Sequence, residues 1–251
     1  MTKTQPIPET LPYGEGIYHR RIRLSSGTGF VSGELEDDFH HFRVRLTHDG
    51  EKVVRVEGEA LRYPWSTCPG ATMPLQGLRG LRLVARVTAP AREHDPHAHC
   101  THLFDLASLA FTHAAAGRDT RLYEIQVPDR IEDRTHPTLR CDGVEILSWT
   151  IKGRRITDPP PFAGRSLAKG FVSWADAELD PDTAEAAIVL RRACAISIGR
   201  VFPLDRIENS NDLASHTLGA CYTFSPGVIE EGKRMHGTTF EFTHTPERLL
   251  S

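Results

Sequence analysis

The chain has 251 residues, 39% of them apolar and 25% charged, with a formal net charge of −3. That length can bury a sizeable core, and the composition excludes a disordered or low-complexity protein. The scattered arginines and lack of basic excess exclude a nucleic-acid footprint. Residues 1–15 are polar and hold no apolar stretch of signal-peptide length, and no window approaches the roughly 20 apolar residues of a membrane span. A cytoplasmic protein without membrane contact is the expectation. Cys68, Cys100, Cys141, Cys194 and Cys221 are odd in number and widely spaced, which points to reduced thiols rather than a disulfide framework.

Residues 1–16 read as an N-terminal extension and 17–251 as one α+β domain. Residues 17–24 and Gly29–Leu35 have strand patterns. Phe42, Val44 and Leu46 alternate with His41, Arg43 and Arg45, and Asp49-Gly50 then turns the chain into a strand over Val53–Leu61, a strong hairpin signal. The prolines and glycine of Tyr63–Gly70 end that pattern. Leu81–Val87 reads as a strand and Ala89–Cys100 as a polar loop. Leu103, Leu106, Ala107, Ala110 and Ala114 fall at helical spacing, with Thr101 as N-cap and Gly117 as stop. Strands are expected at 121–127, 138–141 and 144–151, the last two joined by Asp142-Gly143. Asp158-Pro159-Pro160-Pro161 is a sharp break that would place any subdivision near 158–162. Asp180-Pro181-Asp182 introduces a second helix, and Thr238–Thr243 could form a closing strand. The expected fold is α+β, with antiparallel sheet built from hairpins and two main helices, near 102–116 and 183–198.

His97, His99, Cys100 and His102 lie within six residues, and neutral imidazole and thiolate are good ligands for zinc. In extended backbone, residues two apart share a face, so His97 and His99 point one way and Cys100 and His102 the other. The second pair directly precedes a helix, whose N-terminus favours a thiolate or anionic ligand. Cys68 in its proline-rich turn and His41 on the polar hairpin face are the chosen further ligands. His41, Cys68, Cys100 and His102 thus form the expected site for one divalent metal ion, zinc by choice. The competing reading is a solvent-facing loop with small packed thiols, since the chain has no Cys-x-x-Cys pair. His113 lies roughly 16 Å along the helix from His102 and cannot share the ion. No phosphate loop, dinucleotide fingerprint, Gly-x-Ser-x-Gly elbow or His-Glu-x-x-His is present, so no nucleotide cofactor is expected.

The stretches Asp38–Leu46, Pro64-Trp65-Ser66-Thr67-Cys68 and Cys100-Thr101-His102-Leu103 resemble a bacterial family catalogued as domain of unknown function 2889, over roughly residues 17–155. Its members share a His-containing strand, a Pro-aromatic-x-x-Cys turn and a Gly-Cys-Thr-His-Leu step into a helix. His41, Cys68, Cys100 and His102 fall on these motif positions, Cys141 also has a candidate match, and His99 stands where glycine is usual. The resemblance implies a bacterial setting beside catabolic enzymes for small organic compounds, and no established activity.

Arg43 and Arg45 share the His41 face and suit a carboxylate or phenolate of a substrate. The alternative is a solvated sheet face, paired with Arg55, Glu57 and Glu59. Trp65 could wall an aromatic pocket, although aromatics are usually core. Asp105, three residues after His102, is placed to orient that imidazole or to favour the helix N-terminus. His99 or His40 would move the proton. The functional expectation is an enzyme, leaning to a metal-assisted lyase rather than a hydrolase, acting on a small aromatic or carboxylated metabolite, with self-association as a homo-oligomer allowed. A structural zinc clamp without catalysis and a cofactor-free acid–base enzyme are the rivals.

Overall fold

The computed structural model describes residues 13–251. Residues 1–12, most of the expected N-terminal extension, lie outside the described residues. The elements run β1 (Ile17–Gly27), β2 (Phe30–Asp37), β3 (His41–His48), β4 (Val53–Arg62), α1 (Pro90–Glu93), α2 (Thr101–Ala115), β5 (Thr120–Pro128), β6 (Arg134–Thr135), β7 (Thr138–Cys141), β8 (Val144–Ser148), β9 (Thr150–Lys152), β10 (Arg155–Asp158), α3 (Phe171–Glu178), α4 (Pro181–Ile196) and α5 (Ala214–Thr217). The fold is α+β. A seven-stranded antiparallel sheet has the order β4-β3-β2-β1-β5-β7-β8, and a small sheet has the order β10-β9-β6.

Turn chemistry sets the hairpins. Asp142 and Gly143 both have positive φ, as a tight turn that matches strand twist requires, and Gly50 does the same between β3 and β4. Alternation then decides which face is covered. Ile22 and Leu24, Val31 and Leu35, and Phe42, Val44 and Leu46 are buried, while Arg23, Arg43 and Arg45 point the other way. Helix α2 packs on the apolar face with Leu103, Leu106, Ala107 and Ala110 buried. Gly33 lets it approach closely: a Cβ there would stand 2.9 Å from Leu106 Cδ1. Cys100, one residue before the expected N-cap, caps the helix with extended backbone and makes no side-chain cap bond. At α4, Asp180 accepts from the backbone N–H groups of Asp182 and Thr183.

Several segments depart from the sequence expectation. Leu81–Val87 is not a strand; it touches β4's neighbourhood only through a bridge between Lys52 and Arg82 and then turns away. The strand expected over 144–151 breaks at Trp149, which is buried against Phe162 and Phe171, so the chain leaves the large sheet for the small one. Those same contacts carry the core across the proline break at 158–161. Thr238–Thr243 forms no strand, although the Phe240 N–H donates to Asp38 O at 2.6 Å. The sequence pattern also missed α3 and the 3-10 helix Cys68–Leu78.

The C-terminal fifty residues wrap back over the sheet's outer face near the β2–β3 turn. Arg200 pairs with Asp38, Asp129 and Glu241, and the Leu250 N–H donates to Glu36. No helix among the described residues is long and apolar enough to cross a membrane.

Candidate metal centre

The β2–β3 turn is a four-residue reversal, Asp37-Asp38-Phe39-His40, closed by Asp37 N donating to His40 O at 2.9 Å. Asp37 Oδ1 accepts the Phe39 and His40 backbone N–H groups, each at 2.8 Å, an Asx turn built into the hairpin. Because β2 alternates, Asp37 shares the inward face of Val31, Gly33 and Leu35. Arg20 is its direct cross-strand partner on β1. A buried guanidinium needs a counter-charge, and Arg20 donates to Asp37 Oδ2 through Nε at 3.0 Å and Nη2 at 2.6 Å. The Tyr18 hydroxyl adds a bond to the same oxygen at 2.7 Å. Burial opposes the Asp37 charge, but Arg20 and His40 outweigh it and hold the carboxyl well below the usual range.

His40 follows from the same turn. Its Nδ1 lies 3.1 Å from Asp37 Oδ1. An ionised carboxylate only accepts, so Nδ1 carries the proton and Nε2 presents its lone pair. From the other side, the first turn of α2 places the His102 ring against the His40 ring, centroids 3.8 Å apart. His102 Nε2 is buried with no hydrogen-bond partner. Asp37, His40 and His102 each offer a ligand atom, all within 4.8 Å of one another; among the described residues this is the group that could hold a metal ion. Burial, then His40 and Arg20, push His102 well below its ordinary pKa; burial lowers His40 despite Asp37. Both rings are therefore neutral, the form that ligates metals.

The structure divides the residues chosen from sequence. His102 is brought to His40 and Asp37, not to His41. His41 has the parity of Arg43, so it lies on the outer face, with Nε2 at 2.8 Å from Glu34 and Nδ1 at 3.6 Å from Glu36. The four-residue set His41, Cys68, Cys100 and His102 is corrected accordingly. Cys100 Sγ is 3.9 Å from His102 Nδ1, and burial drives its thiol pKa well up. Cys68, at the start of its 3-10 helix, contacts Thr223 Oγ1 at 3.5 Å, and burial lifts its thiol to about 12. Neither thiol belongs to the Asp37–His40–His102 group.

Asp105 does not orient His102; it is ion-paired with Arg192 on α4, Nε to Oδ2 at 2.5 Å. His99 packs its ring on Phe104, 4.8 Å between centroids, apart from the cluster. Arg43 pairs with Glu34 at 2.8 Å, and Arg45 lies 3.5 Å over the Phe30 ring. These two line an open groove on the outer sheet face with Glu57 and Glu59, and the sheet itself separates them from His102. Trp65 is buried against Phe224 and below Arg234, a packing role under the C-terminal segment. Sequence reasoning missed Tyr18, Arg20 and Asp37. The signal existed: Tyr18, Arg20, Ile22 and Leu24 share one parity, so an apolar strand face carries a charge that demands an inward-facing acid.

Residues 24–116 match the model of a family described as "Protein of unknown function (DUF2889)". The matched stretch is shorter than the resemblance over 17–155. It contains Asp37, His40, Cys68, Cys100 and His102, and it leaves out Cys141, Tyr18 and Arg20. Comparison with curated proteins gives no match.

Proposed function

We propose that this protein is a metal-dependent enzyme acting on a small organic molecule, its divalent ion bound at Nε2 of His40 and of His102. The observation that carries this reading is His102 Nε2, a buried ring nitrogen with no partner, on a ring stacked against a second imidazole that a carboxylate has oriented. Asp37 already accepts from Tyr18, Arg20, His40 and two backbone N–H groups, so its part is to fix the His40 tautomer from behind. A site with few protein ligands keeps positions open for water or substrate, as catalytic ions do and closed structural clamps do not. The donor set, free of thiolate, suits zinc and equally iron(II); zinc is the working choice. A bound ion would supply Lewis acidity toward a carbonyl or hydroxyl, the chemistry of a lyase or hydrolase.

Cobalt(II) substitution tests the donor set. The expected spectrum has ligand-field bands and no thiolate-to-metal charge-transfer band. A charge-transfer band removed by Cys100→Ser would overturn the assignment in favour of a thiolate site. One observation favours a second reading: the 3.1 Å Asp37–His40 contact is also the arrangement of an oriented general base. Full activity in rigorously metal-free protein would select that reading.

A further inference from the structure

Beside the Asp37–Arg20 pair lies a cavity of about 120 Å³ between α2, α4 and the inner face of β1 and β2. Its walls are apolar, with Ile22, Leu35, Val87, Leu109, Ile188 and Val189 prominent. An engineered apolar cavity of about 150 Å³ accepts benzene, so this one suits a short branched chain rather than a fused ring.

Its polar groups gather at particular places. Ser108 on α2 lines the cavity, is 3% exposed, and has an Oγ with no hydrogen-bond partner. Arg20 and Arg192 both reach the cavity. Each spends Nε and Nη2 on a carboxylate, Asp37 and Asp105 respectively, and the Nη1 of each has no hydrogen bond to any described residue. Arg191, next to Arg192 on α4, is not part of the lining; its Nε donates to Leu167 O. Each of the two lining guanidiniums is matched by one carboxylate, and the side chains of the Arg192–Asp105 pair are 23% and 24% exposed. Spare guanidinium N–H groups over an apolar pocket recognise a carboxylate with a hydrocarbon tail.

We propose that this cavity binds a small aliphatic monocarboxylate, its tail among Ile22, Leu109 and Val189 and its head on Arg192 and Arg20. The inference takes the proposed enzyme reading as its frame and names the class of substrate. The bound head would sit one guanidinium away from the carboxylate that orients His40. Binding itself requires no metal.

The test is methyl-detected NMR titration of the full chain with 3-methylbutanoate and with its neutral analogue 3-methylbutan-1-ol, in metal-free and zinc-equilibrated protein. The expected result is saturable shifts at the Leu109, Ile188 and Val189 methyls, with the acid binding about tenfold more tightly than the alcohol. Arg192→Met should erase that preference while leaving alcohol binding, and Ser108→Leu, which fills the cavity, should remove both. Equal affinity for acid and alcohol in the wild-type chain, or no saturable shift with either, overturns the inference without recourse to a variant. Acid binding that persists where zinc fails to bind keeps this inference and removes the metal reading alone.

Discussion

Asp37→Asn tests how the site is held. The carboxylate has no solvent exposure and accepts from Tyr18, twice from Arg20, from the Phe39 and His40 N–H groups, and from His40 Nδ1. An amide of the same shape keeps one accepting oxygen. If that oxygen serves the turn, the new NH2 meets the donors of Arg20 and Tyr18, and the buried guanidinium loses its counter-charge. Removing one partner of a buried pair costs about 3–5 kcal/mol, against about 5–15 kcal/mol for a whole domain. At about 2–4 °C per kcal/mol for a chain of this size, the midpoint should fall by about 6–20 °C. The assay is thermal and urea unfolding by circular dichroism at pH 7 in chelator, so that metal loss plays no part. Arg20→Met in the Asp37→Asn background should recover much of the loss, because it removes the stranded charge. A single variant within about 1 kcal/mol of wild type, or strict additivity in the pair, would refute Arg20–Asp37 as the frame of the site.

Two further effects are expected. Burial is the main cause that lowers His19 from 6.5 to about 4, with Arg200 and Arg21 adding to it against Glu241. Its unfolded form binds the proton first, so stability is fully present above about pH 6.5 and falls as pH drops toward 4, by up to about 3 kcal/mol. His19→Gln should flatten the difference in urea midpoint between pH 7 and pH 5; an unchanged slope would show that His19 does not carry it. Gly33→Ala presses a methyl onto Leu106 and Leu24, where the added Cβ would stand 2.9 and 3.2 Å from their nearest atoms. It should cost about 1–3 kcal/mol by overpacking, read as a lower urea midpoint, and a neutral change would mean that α2 can move off the sheet.

Much of this fold could be read from short-range rules. Asp49-Gly50 and Asp142-Gly143 mark real hairpin turns, and the aliphatic spacing of 103–114 and the Asp180-Pro181 start mark real helices. The failures lie where tertiary packing decides: Trp149 pulls a strand apart by burying its ring, and Leu81–Val87 pairs beside the start of edge strand β4 only around the Lys52–Arg82 bridge before turning away. The site was half legible. The extended backbone expected for His97–His102 is instead a 3-10 turn at Pro96–Ala98 followed by helix α2, while the alternation of Phe42, Val44 and Leu46 places His40 inward and His41 outward. The sequence favours His41 for its place on the polar hairpin face, and motif position agrees. Asp37 was hidden because its role depends on a cross-strand register with Arg20 that no local pattern specifies.

The central claim is that His40 and His102, rather than His41, hold a divalent ion. Its most direct test is zinc content by mass spectrometry after equilibration and exhaustive dialysis of four folded proteins. Wild type and His41→Gln should each retain stoichiometric zinc, and His40→Gln and His102→Gln should retain none. Wild-type protein without stoichiometric metal, or loss of the ion in His41→Gln with retention in His40→Gln, would contradict the account.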